Sequence, residues 1–148
     1  MNDFTIRLML KEDKDEVLSM MKVFYESEAV LSNGSKEIFL SDFENCVNDN
    51  PYLEGYVFIE NEKIIGYAML AKSFSTEFGK PCIWIEDLYL KEEYRNQKIG
   101  STFLEYIDKK YPNHILRLEA EESNELALHV YKKNGFKVLP YIELKKEN

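Results

Sequence analysis

Apolar residues along this chain recur with two alternating periods. In FTIRLM, Phe4 to Met9, they alternate as in a strand. Asp13 and Glu16 then stand in capping-box spacing, and Val17, Leu18, Met21 and Phe24 fall on one helical face. After the turn SNGS, Ser32 to Ser35, a second helix carries Ile38, Phe39, Phe43, Cys46 and Val47 as its apolar stripe, and the polar run ending at Pro51 stops it. YVFIE and KIIGYAML, separated only by Asn61 and Glu62, read as a β-hairpin. A turn at Gly79 to Pro81 leads into the long strand CIWIEDLYL.

Downstream, the charged turn RNQKIG opens a strongly helical stretch that runs to Ile107. The strand HILRLEA follows, then a helix from about Ser123 to Lys133 closed by Asn134 and Gly135, and FKVLPYIEL reads as a final strand. The order is βααβββαβαβ, an α+β class with no repeat, low-complexity segment or linker. A length of 148 residues fits one domain spanning 1–148.

Charge narrows the choice of partners. A net charge of −8 argues against nonspecific nucleic-acid binding and against an anionic membrane surface, and it favours cationic small molecules. No apolar run approaches the ~20 residues that span a bilayer, and MNDFTIRLML lacks the basic start of a secretory signal. Cys46 and Cys82 are far apart and form no CxxC pair, as expected of a reduced, cytoplasmic protein. His114 and His129 have no Cys or carboxylate at metal-ligand spacing, so no metal site is expected.

The turn before the third helix carries the first chemistry. A helix starting near Lys98 leaves its first N–H groups without intrahelical acceptors, and its dipole makes that end partly positive. Gly100 lets a ligand approach the backbone, while Arg95 and Lys98 add positive charge to an acidic chain. A phosphate or diphosphate suits such a place, although a first-turn glycine also arises from packing alone. Neither GxxxxGKS/T nor GxGxxG is present, so this is no P-loop and no dinucleotide fold.

The residues Arg95, Asn96, Gln97, Lys98, Ile99 and Gly100 follow a strand and open a helix, and this resembles the Q/R-x-x-G-x-G/A loop of the GNAT N-acetyltransferases. Asn124, Tyr131, Lys132, Lys133, Gly135 and Phe136 match a second block of that family: an Asn at the next helix start, a Tyr seven residues on, a basic pair and a Gly-aromatic step. The resemblance implies a mixed, mostly antiparallel sheet flanked by four helices, with a bulged and splayed fourth strand. It also implies acetyl-CoA as cosubstrate, gripped by the loop from Arg95 to Ser101, by Asn124, Tyr131 and Lys133, and by N–H groups near Leu88, Tyr89 and Leu90. The chain departs from the family at Lys98, where a glycine is usual. Homodimers, common in the family, are implied in the same way.

Adjacent carboxylates at Glu86 and Asp87 interrupt an otherwise buried strand pattern. Acids there are solvated at an edge, paired or used. Acetyl transfer to an amine needs a neutral nucleophile, and near pH 7 a primary amine of pKa ~10.4 must lose about three units' worth of protonation, roughly 4 kcal/mol. The resemblance therefore implies Glu86 as general base, Asp87 as an orienting carboxylate and Tyr131 at the departing sulfur. WIEDLYLKEEYRNQKIG and FYESEAV look most like the spermidine/spermine and thialysine acetyltransferases, which implies Tyr25, Glu26 and Trp84 as further acceptor contacts. The expected function is acetyl transfer to a small di- or polyamine-like amine in a ternary complex. Acetylation of a protein or peptide, and a CoA-binding regulatory module without turnover, are the alternatives.

Overall fold

A computed structural model describes residues 3–31 and 34–148. Its elements are β1 (Thr5–Leu8), α1 (Lys14–Tyr25), α2 (Lys36–Val47), β2 (Leu53–Glu60), β3 (Lys63–Ser75), β4 (Lys80–Leu90), α3 (Ile99–Lys110), β5 (Ile115–Leu118) and α4 (Glu125–Lys133). The strands form one sheet in the order β1-β2-β3-β4-β5, antiparallel throughout except for the parallel pair β4 and β5. The parallel pair needs a crossover, and α3 supplies it.

The β2–β3 connection is the two-residue hairpin expected. Asn61 and Glu62 both have positive φ, 52° and 64°, the backbone a tight turn demands when its twist must match the strands. Where the strands lie closest, side chains are excluded: a Cβ on Gly66 would stand 2.4 Å from the Tyr89 carbonyl oxygen.

Two apolar layers cover the sheet. Val17, Met20 and Met21 of α1 and Phe39 and Phe43 of α2 pack on Tyr67, Met69 and Tyr89. On the other face Ile99, Phe103, Leu104 and Ile107 of α3 pack on Tyr56, Phe58, Ile83 and Ile85. Fully burying one such side chain contributes about 1.5–3 kcal/mol, so these stripes anchor both helices.

Some local expectations differ. Asp13 does not cap α1 with its side chain; its carboxylate accepts from the Arg7 guanidinium (2.7 and 3.0 Å) and from Leu10 N–H (2.7 Å). Glu16 pairs with Lys91 instead of closing a capping box. Ile38 lies on the outer side of its helix, 50% exposed. Of the turn expected at Ser32 to Ser35, Ser32 and Asn33 lie outside the described residues, and Ser35 caps α2 by accepting from Ile38 N–H (3.3 Å).

The final strand over FKVLPYIEL is not formed: no regular structure follows Lys133. Its alternation is strand-like, but Pro140 has no N–H to give a ladder, and no strand among the described residues pairs with it. Val138, Ile142 and Leu144 remain 72%, 89% and 92% exposed. The sheet therefore has five strands rather than six.

Candidate functional site

The site grows out of an irregularity in β4. Pairing with β3 matches Ile85 to Leu70 and Asp87 to Met69, so Glu86 is an extra residue opposite no partner, a β-bulge. The bulge switches the layer that odd-numbered residues face, from α3 at Ile83 and Ile85 to α1 and α2 at Tyr89, with Asp87 buried, 3% exposed, and Glu86 exposed. Beyond it β4 parts from β5, whose ladder covers only Cys82 to Ile85. Lys91 N–H donates to the Ile65 carbonyl of β3 (2.9 Å). By the two-residue period of a strand, the N–H groups of Leu90 and Leu88 point the other way, into the splay. Tyr89 between them is buried against α1.

Across the splay lies the start of α3. Asn96 and Lys98 both adopt left-handed backbone, with φ of 64° and 63°, while Gln97 between them does not. Such alternation gathers successive N–H groups into a concave, anion-seeking surface. Thr102 N–H already donates to the Lys98 carbonyl (3.0 Å). Among the described residues the N–H groups of Ile99, Gly100 and Ser101 have no backbone acceptor. A Cβ added to Gly100 would meet nothing within 4 Å, so packing does not require this glycine; the room above it is open. Arg95 is tied to the splayed strand, its Nε donating to the Leu90 carbonyl (2.9 Å) and its guanidinium lying over the Tyr89 ring (5.6 Å). These unsatisfied donors, with Lys98 exposed beside them, fit the diphosphate of a coenzyme.

On the α1–α2 face, Asp87 is held by two phenols. Tyr25 donates to its Oδ1 (2.9 Å) and Tyr67 to its Oδ2 (2.7 Å). Burial pushes Asp87 up to about 6 against the pull of both hydrogen bonds, with Asp42 of α2 and Glu86 adding like-charge repulsion. Glu86 is raised too, first by desolvation and then by Asp42 and Glu143. Glu119 is pushed up to about 7, chiefly by sharing a hydrogen bond with Glu143. Among the described residues none of these five carboxylates takes part in an ion pair. Nor is there a grouping of His, Cys, Asp or Glu suited to a metal.

The other expected acceptor residues have further surroundings of their own. Glu26 lines a separate cavity of about 440 Å³ between α1 and the start of α2, with Lys22, Lys36 and Phe39. Trp84 already carries the Arg117 guanidinium over its ring at 4.5 Å. At α4, Asn124 is the helix cap, its Oδ1 accepting from Ala127 N–H (3.3 Å). Tyr131 is half-buried against the α3 layer beside Phe136, and burial raises its hydroxyl; Lys133 is exposed in the last turn.

A family model described as "Acetyltransferase (GNAT) family" matches residues 16–136. The chain belongs to this GNAT family. A thialysine N-epsilon-acetyltransferase from Bos taurus is 36% identical over 77 residues, which are 49% of this chain and 44% of the bovine protein. The match thus spans less than half of that relative. Solved structures share the GNAT fold along nearly the whole chain. A possible acetyltransferase from Clostridium difficile 630 has a TM-score of 0.81 at 20% identity, covering 98% of this chain and 97% of its own. A predicted acetyltransferase with acetyl-CoA from Clostridium acetobutylicum has a TM-score of 0.78 at 24% identity, covering 97% and 96%.

Sequence reasoning passed over three residues of this GNAT chain. Tyr67 sits in an apolar run and reads as core, and only the β3–β4 register brings its hydroxyl to Asp87. Asp42 sits one position before the buried Phe43, an acid beside the core face of α2 that its own apolar stripe could have exposed. Asn134 reads as a helix stop, yet its side chain reaches α3. No helix of the described residues is long and apolar enough to cross a membrane.

Proposed function

We propose that this chain is an acetyl-CoA-dependent N-acetyltransferase whose acceptor is a small cationic amine of di- or polyamine type. One observation carries the reading: β4 leaves β5 just before the bulged Glu86, so strand period turns the Leu88 and Leu90 N–H groups to the side that no β5 ladder covers, and among the described residues the first N–H groups of α3 lack backbone acceptors. A diphosphate held at α3 would deliver the thioester into that space. The two strand amides can stabilise the oxyanion as the amine attacks the thioester carbon.

Glu86 suits the base. Its raised proton affinity brings it nearer to that of the amine, and the bulge presents it to solvent, so a water can carry the proton. Asp87 has both oxygens engaged by tyrosines, so its part is electrostatic orientation. For Tyr131 the direction of shift decides between two roles. A phenol raised by burial is a poor acid toward a thiolate of ordinary pKa ~8.5, so it holds the departing sulfur by a hydrogen bond, and the sulfur takes its proton from the nitrogen of the tetrahedral intermediate as that collapses to the amide.

Five carboxylates with no ion pair among the described residues support a cationic acceptor. The bovine relative is named for the N-epsilon amine of thialysine, itself a primary amine. Unpaired Cys46 and Cys82 agree with a cytoplasmic workplace, and the exposed apolar tail agrees with a homodimer. A panel of diamines, polyamines, aminoglycosides, amino acids and peptides, assayed with acetyl-CoA and a thiol reagent, tests the proposal. Thiol release should be fastest with di- and polyamines. Turnover confined to peptides would move the acceptor to proteins, and coenzyme uptake without any turnover would leave a binding module.

A further inference from the structure

Asn134 closes α4, its own N–H donating to the carbonyls of Val130 (3.1 Å) and Tyr131 (3.0 Å). Its side chain reaches further. Nδ2 donates to the Val130 carbonyl (2.8 Å) and to Ser101 Oγ (2.9 Å), joining the last turn of α4 to the first turn of α3. Chemistry fixes how this amide faces. A carbonyl oxygen only accepts, so the atom against Val130 has to be the amide nitrogen, and its other hydrogen goes to Ser101.

The consequence lies in the serine. A hydroxyl has one proton, and an oxygen that accepts from Asn134 keeps that proton for another acceptor. Among the described residues no acceptor for it is present, whereas the neighbouring Thr102 hydroxyl is committed to the Lys98 carbonyl (2.8 Å). Ser101 thus offers an oriented O–H beside the N–H groups of Ile99, Gly100 and its own backbone, all without backbone acceptors among the described residues.

We infer that Asn134 is a positioning residue for coenzyme binding: by engaging the Ser101 oxygen it aims the Ser101 proton at the diphosphate gripped by α3. This rests on the proposed coenzyme site. It adds a link between the two ends of the coenzyme, because Asn134 lies three residues beyond Tyr131 on the same helix.

Calorimetric titration of the full chain with CoA tests it. A hydrogen bond to a charged group is worth enough that Ser101→Ala and Asn134→Ala should each weaken CoA about tenfold. The double variant should bind no more weakly than either single variant. Asn134→Asp should lose at least as much, since a carboxylate would capture the serine proton. In steady state the losses belong in KM for acetyl-CoA rather than in kcat, and KM for acetyl-pantetheine, which lacks the diphosphate, should not move. Unchanged CoA affinity in Ser101→Ala, additive losses in the double variant, or an equal rise in KM for acetyl-pantetheine would each overturn the inference. A wild-type chain that takes up no CoA would instead overturn the site itself.

Discussion

The first turn of α3 and the Asp87 cluster are both polar, and they handle hydrogen bonds in opposite ways. At α3 the N–H groups of Ile99, Gly100 and Ser101 lack backbone acceptors among the described residues, and a Cβ on Gly100 would meet nothing within 4 Å. Around Asp87 both carboxylate oxygens are taken, by Tyr25 and Tyr67, and the group is 3% exposed. Unsatisfied donors at a surface are a binding face whose partner comes from outside. A satisfied buried carboxylate is a fixed charge that shapes its surroundings and is costly to disturb. Glu86, the extra residue of the bulge, is exposed although its charge acts on Asp87, and in the proposed reaction it is the group that exchanges a proton.

The largest effect should come from that intermediate position. Glu86→Gln keeps the shape of the bulge and removes the base, so kcat should fall by about 10²–10⁴. The loss should be steepest at low pH, where the amine most needs a base, and should shrink as pH nears the amine's own range. CoA affinity, which belongs to α3, should be unaltered. A pH–rate profile parallel to that of the unmodified chain would leave Glu86 without a proton-transfer role.

Disturbing the closed cluster should act on stability instead. Tyr67→Phe deletes a buried donor and leaves Asp87 Oδ2 unsatisfied, at a cost of about 1–3 kcal/mol in urea unfolding. Losing that donor also removes a pull toward ionisation, so Asp87 should titrate still higher than about 6, which its carboxyl ¹³C shift would report. The sign of the pH dependence follows. A carboxyl raised from its ordinary range to about 6 favours the folded state most when protonated, and that contribution fades as pH climbs through about 6. Relative to Asp87→Asn, the unmodified chain should lose about 1 kcal/mol between pH 5 and 7. A difference that is flat, or of opposite sign, would mean that Asp87 is already ionised at little cost throughout.

The same contrast explains what could be read in advance. The α3 loop is contiguous, so the pattern from Arg95 to Ser101 that suggests a phosphate-binding turn lies within seven letters of sequence. The Asp87 cluster draws Tyr25 from α1, Asp42 from α2, Tyr67 from β3 and Asp87 from β4. No local pattern encodes that convergence; it depends on the β3–β4 register and on which face of α2 meets the sheet. Strand periods were legible wherever a neighbouring strand exists to reward them. FKVLPYIEL has the period and no partner strand among the described residues, so pattern alone over-assigned it.

The smallest effects should lie at Lys98, the place where the open region departs from its family. With φ 63° and ψ 16°, this residue holds a backbone conformation that a side chain makes unfavourable by about 1 kcal/mol and that glycine adopts freely. Lys98→Gly should relieve that strain, partly offset by the greater entropy of glycine in the unfolded chain, for a net gain of a few tenths to about 1 kcal/mol. If neighbouring N–H groups rather than the ammonium grip the diphosphate, as proposed, CoA affinity should be retained. Lys98→Glu keeps the strain and reverses the charge beside the phosphates, so affinity should drop roughly tenfold, and more at low salt. Paired urea and calorimetric measurements on the two variants separate backbone from charge. If the glycine variant binds CoA poorly, the side chain and not the backbone nest is what holds the ligand. If the glutamate variant binds as well as the unmodified chain, the charge at this position has no part in it.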